Sequence, residues 1–129
     1  MSGNDALLDV DGLANVSTLP GELTIGDNAS LTSLAGLTGL TSVGGVILES
    51  NHSLTNLDGM DFLENTTGIL YINDNDALVD LDALAALSAV GGDLYIKYND
   101  TLCQSRADAV IAAVTVGGTI YTFGNDNGC

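Results

Sequence analysis

Leu94-Tyr-Ile-Lys-Tyr-Asn99 is one of five near-copies of the pattern Leu-x-Ile-x-x-Asn in this chain. The others are Leu23-Thr-Ile-Gly-Asp-Asn28, Val46-Ile-Leu-Glu-Ser-Asn51, Leu70-Tyr-Ile-Asn-Asp-Asn75 and Ile120-Tyr-Thr-Phe-Gly-Asn125. Their asparagines are 23, 24, 24 and 26 positions apart. Repeats of that length belong to architectures in which one repeat is one coil, unable to bury its apolar face until neighbours stack on it. Within each copy the apolar side chains sit two apart, which places Leu94 and Ile96 on one face and Asp93, Tyr95 and Lys97 on the other. Each repeat therefore predicts one short strand of a parallel sheet with its Leu and Ile inside.

The residues around the motif line up as well. Three positions after an asparagine stands Leu31, Leu54 or Leu78, and three further on Leu34, Leu57 or Leu81. Gly36, Gly59 and Ala83 follow, and Gly21, Gly45, Gly68, Gly92 and Gly118 precede the strands. This divides the single domain 1–129 into coils near 7–30, 31–53, 54–77, 78–101 and a capping coil 102–129. Leu31-x-x-Leu34 reads as a second short strand or a turn. Asn28, Asn51, Asn75, Asn99 and Asn125 fall at the corner, where stacked amides are expected to form a structural ladder and to satisfy backbone groups freed by the bend.

The last coil departs from the pattern. Ala107, Val110, Ile111 and Val114 fall at helical spacing, with Ser105 as the expected N-cap and Asp108 in the first turn. This short C-terminal helix is expected to cover the end of the core. Met1 to Ala6 offer no comparable cover, so the N-terminal edge is expected to leave backbone donors and aliphatic core exposed, to be covered either by upstream sequence or by end-to-end self-association.

Seventeen acidic residues face two basic ones, Lys97 and Arg106, for a formal charge of −15. Such a surface disfavours nucleic acid and anionic lipid as partners, because phosphate binding needs clustered Lys and Arg. No apolar stretch approaches a membrane span, so no membrane insertion is expected. Met1 to Asp11 lack the basic start and apolar run of a secretion signal, so an exported protein would be represented here by its mature part with a starting Met.

Gly92-Asp-Leu-Tyr-Ile-Lys-Tyr-Asn-Asp-Thr-Leu102, preceded by Leu78-Val-Asp-Leu-Asp-Ala-Leu-Ala-Ala-Leu-Ser-Ala-Val90, resembles the receptor L-domain type of leucine-rich repeat. That family includes the L domains of insulin and epidermal growth factor receptors, fungal cell-wall proteins and many bacterial surface proteins. The resemblance covers roughly residues 7 to 129. It implies a mainly β fold, a right-handed parallel β-solenoid used in binding and adhesion, with no shared catalytic residues. The closing Leu102-Cys-Gln-Ser-Arg-Ala-Asp-Ala and Gly124-Asn-Asp-Asn-Gly-Cys129 look like the terminal cap of the bacterial members.

Cys103 and Cys129 are the only cysteines and bracket that cap, so they are expected to form a disulfide, which points to an oxidising, extracellular or cell-surface location. Asn-x-Ser/Thr triplets stand at Asn15, Asn28, Asn51, Asn65 and Asn99; for the three in the ladder the structural role takes precedence over glycosylation. Clustered Asp and Asn at the corners lack a calcium-loop pattern, and His52, the only histidine, has no partner nucleophile. No metal, cofactor or enzymatic activity is expected.

The outward strand positions hold the candidate site. One site per coil gives Thr24, Ile47, Tyr71, Tyr95 and Tyr121, flanked by Lys97 and Phe123. Three tyrosines therefore share one exposed column, spaced about 4.8 Å by strand pairing. Ile47, Tyr71, Tyr95, Lys97, Tyr121 and Phe123 are the predicted binding residues, with Lys97 as an isolated charge that orients an acidic or carbonyl-bearing group. The sequence reads as a non-catalytic binding or adhesion module of an exported surface protein that recognises protein or neutral glycan. The alternative is a structural spacer or self-assembling unit whose tyrosines only pack.

Overall fold

A computed structural model describes residues 1–129 and consists mainly of parallel β-sheet with one helix. The strands are β1 (Thr18–Gly26), β2 (Ser42–Glu49), β3 (Asn65–Thr66), β4 (Leu70–Asn73), β5 (Ala89–Val90), β6 (Leu94–Lys97), β7 (Thr115–Val116) and β8 (Ile120–Phe123). The helix α1 (Gln104–Ala113) lies between β6 and β7. β1 and β2 are long strands; in each later repeat the same path is broken into a two-residue and a four-residue piece. Pairing runs β1–β2–β4–β6–β8 along the long pieces and β2–β3–β5–β7 along the short ones, all parallel.

The break falls at Thr67-Gly68, Gly91-Gly92 and Gly117-Gly118. At Gly68 the amide donates to the Gly44 carbonyl, and a Cβ added there would meet that same oxygen. Backbones thus touch where side chains would separate them, and the chain bends between the two pieces.

The core consists of stacked columns of aliphatic side chains. Ile25, Leu48, Ile72 and Ile96 form one column and Leu31, Leu54, Leu78 and Leu102 another, all fully buried. Burial alternates along β6, with Leu94 and Ile96 inside and Tyr95 and Lys97 half-buried outside. Leu31, Leu54, Leu78 and Leu102 lie in turns, each donating its amide to the carbonyl of the corner asparagine three residues before, so this segment is a turn and not a second strand.

Asn28, Asn51, Asn75, Asn99 and Asn125 are buried at the corners. The Asn51 backbone amide and side-chain Nδ2 both donate to Asn75 Oδ1, at 3.1 and 3.3 Å. Asn75 and Asn99 repeat the arrangement toward Asn99 and Asn125. Each residue immediately before the ladder has positive φ: Asp27, Ser50, Asp74 and Tyr98 at 53 to 56° and Gly124 at 73°. At Gly124 a Cβ would also run into the Tyr98 ring.

Four expectations need correction. Gln104 opens α1 and Cys103 occupies the cap position without a side-chain cap bond, so Ser105 lies inside the helix. Asp108 sits a turn further in, where it accepts from Gln104 Nε2 at 2.8 Å. Cys103 is fixed instead by its bridge to Asp126 and by the disulfide to Cys129, and this tertiary anchor sets the helix start.

The N-terminal edge is partly covered. Ser2 bridges Gly26, the Gly26 amide donates to Met1 O at 2.8 Å, and the Asn4 amide donates to Asn28 Oδ1 at 3.1 Å. The remainder stays open: Leu8 is 61% exposed, and Leu13, Val16, Leu19 and Leu23 line a small apolar hollow. At the opposite end Ile120, expected in the core, is 41% exposed because no further strand stacks on it. Ala107 is the buried contact of α1, and Val110, Ile111 and Val114 pack half-buried against the core.

Candidate functional site

The pairing register places Thr24, Ile47, Tyr71, Tyr95 and Tyr121 in one row across β1, β2, β4, β6 and β8. Glu49, Asn73, Lys97 and Phe123 form the next row. The Tyr95 and Tyr121 rings stack at 4.5 Å with a 7° interplanar angle, and Tyr71 meets Tyr95 at 5.1 Å and 54°. The column is less open than alternation alone suggests. Ile47, Tyr71 and Tyr95 are half-buried by their neighbours, and Tyr121 and Phe123 are exposed at the end of the sheet.

Lys97 is not an isolated charge. Its Nζ lies 5.4 Å from the Tyr71 ring centre, 5.5 Å from Tyr95, and 5.7 Å from both Tyr98 and Phe123, within cation–π range of all four. Tyr98 had no sequence signal, because strand alternation places it at the corner and not on the outer face. Its left-handed backbone brings it round to meet Phe123 edge-on at 5.2 Å. Beside Lys97, Asn73 is 8% exposed; its Nδ2 donates to Glu49 Oε1 at 3.1 Å, while its Oδ1 is buried without a donor.

The Tyr95 phenol is held above its ordinary value, first by loss of surrounding water and then by the Asp93 carboxylate, which also accepts its hydrogen bond at 3.3 Å. A raised phenol adds stability that is present below the ordinary tyrosine value and is lost as pH rises through the folded one. Asp93→Asn is expected to lower the Tyr95 midpoint, read from its ring carbon shifts against pH. An unmoved midpoint would remove the carboxylate from the account.

Other candidates resolve differently. Asn28, Asn51 and Asn99 are fully buried with their Nδ2 groups engaged, so in the folded chain they cannot take a glycan; Asn15 is exposed and Asn65 half-buried. His52 Nδ1 lies 3.1 Å from Asp76 Oδ2 at an exposed corner, near Asp74, which accepts from Ser50 Oγ. A groove of about 430 Å³ runs between the Asp82–Ala86 turn and α1, lined mainly by Leu81, Leu84, Val110 and Val114. Its one cation, Arg106, is paired with Asp82 at 3.0 Å.

Comparison with protein-family models, with curated proteins and with solved structures returned no significant match. No helix is long and apolar enough to cross a membrane.

Proposed function

We propose that the chain is a right-handed parallel solenoid of the receptor L-domain type that serves as a non-catalytic binding module of an exported surface protein. It recognises protein or neutral glycan through the outer face of its sheet. The observation that carries this reading is the in-register row Ile47, Tyr71, Tyr95 and Tyr121, an apolar and aromatic stripe on a body of charge −15. The disulfide between Cys103 and Cys129 fits an oxidising compartment. The packing of Tyr71 and Tyr95 against each other favours the second reading, a structural spacer whose aromatics stabilise neighbouring strands.

Replacing Tyr71, Tyr95 and Tyr121 together with Ser separates the two. The core columns beneath remain, so stability is expected to fall by about 0.2–1 kcal/mol per lost cross-strand pair. Binding is expected to fall much further, because tyrosines anchor interfaces. The measurement is capture of cell-surface partners and binding to a glycan array, wild type beside variant. Equal retention by both would leave the spacer reading.

A further inference from the structure

The outer face of the sheet is rich in carboxylates and aromatic rings and poor in cations. Glu49 and Asp93 supply carboxylates, four aromatic rings supply π faces, and Asn73 Oδ1 is a buried acceptor with no donor. The one cation there, Lys97, makes no ion pair: the salt bridges of the chain are His52–Asp76 and Arg106–Asp82. Its ammonium sits among the rings where a bound cation would sit. The carboxylates of Glu49 and Asp93 on the same face disfavour an acidic partner.

We propose that this face takes a cationic side chain, preferentially arginine, from an extended basic segment of a partner protein, and that Lys97 fills the same aromatic enclosure until it is displaced. The inference rests on the sheet face being the contact surface. A guanidinium suits the enclosure better than an ammonium, since it is planar, less strongly hydrated and stacks on aromatic faces while its edge donates several N–H bonds. Glu49 and Asn73, neighbours in one row beside Lys97, are the acceptors for that edge. Once Lys97 swings away, Asn73 Oδ1 gains the donor it lacks. The overall charge of −15 favours approach of a basic segment.

Lys97 then competes with the ligand, which gives the test its sign. The full chain, isotope-labelled, is titrated with acetyl-Gly-Arg-Gly-amide and with the matching citrulline peptide, which keeps the shape and lacks the charge. Saturable shifts are expected at Tyr71, Tyr95 and Phe123 rings and at the Asn73 side-chain amide, with citrulline binding at least about tenfold more weakly. Lys97→Met is expected to raise affinity for the arginine peptide about three- to tenfold by removing the like charge that competes for the rings. Lys97→Arg should stay filled and bind no better than wild type, and Glu49→Gln should bind more weakly. The proposal is overturned if Lys97→Met weakens binding or leaves it unchanged, if citrulline binds equally, or if the shifts map to the acidic corners at Asp27, Asp74 and Asp76. Loss of partner capture by the triple tyrosine variant, together with no preference for arginine, would retain the sheet face as contact surface and remove only its taste for cations.

Discussion

Asn75→Leu is expected to destabilise the fold by about 3–5 kcal/mol, since each buried polar group left unpaired costs about 1–3 kcal/mol. Asn75 stands in the middle of the ladder. Its Oδ1 accepts from the Asn51 amide, and its Nδ2 donates to Leu48 O at 3.1 Å and Asn73 O at 3.0 Å. Leucine keeps the branching at Cγ, but it takes the acceptor from the Asn51 amide and a donor from Leu48 O and from Asn73 O, of which Asn73 O keeps the Ser50 amide at 3.1 Å. Asn75→Asp keeps an acceptor for Asn51 and lacks the donor, so at neutral pH a carboxylate faces two carbonyls. Its folded pKa is then raised, and stability should be fully regained only below the unfolded aspartate value of about 3.9, disappearing as pH rises. Urea midpoints of these variants, set against Asn127→Leu on the exposed C-terminal segment as control, decide the point. A leucine variant as stable as the control would make the ladder dispensable.

Removing the disulfide is the second large effect. Cys103 and Cys129 are 26 positions apart, and the chain-entropy model gives about 3–4 kcal/mol for a loop of that size. The Cys103→Ser, Cys129→Ser variant is therefore expected to melt on the order of 10–15 °C lower. The loss should begin locally. Without the bridge the closing segment is held by the Gln104 amide on Asp126 O and the Asp126 amide on Leu102 O, both at 2.8 Å. Those bonds and the Asn125 contacts to Gln104 Oε1 and Ile96 O position the last rung of the ladder. Hydrogen exchange is expected to accelerate first in α1 and β8 and little in β2 and β4. Uniform acceleration would show that the bridge acts on the unfolded chain alone.

The parallel strands and their inward faces were legible because Leu70-x-Ile72 and Leu94-x-Ile96 carry a two-residue alternation at fixed spacing, and each repeat needs its neighbour to bury it. The disulfide was legible from two cysteines at the margins of the C-terminal stretch where the repeat pattern breaks. The N-terminal cover was not, since Met1 to Asn4 act through backbone groups that any residue possesses. The start of α1 was misplaced because local capping preference favoured Ser105 while the tie between Cys103 and Asp126 prevailed. In the candidate site the tyrosine row followed from alternation. The enclosure around Lys97 did not, because it needs Tyr98, which only a left-handed corner delivers to that side.

That corner conformation recurs in every repeat on differing side chains: two aspartates, a serine, a tyrosine and a glycine at positions 27, 50, 74, 98 and 124. The bend is dictated by the buried asparagine that follows and by the strand that precedes, leaving the side chain itself unconstrained by the core. A left-handed non-glycine residue costs roughly 1–2 kcal/mol, and the fold tolerates four of them. The corner is consequently a variable line written on an invariant frame. At the four non-glycine corners the side chain can change without disturbing the repeat, and at Tyr98 it sets an aromatic ring beside the only lysine.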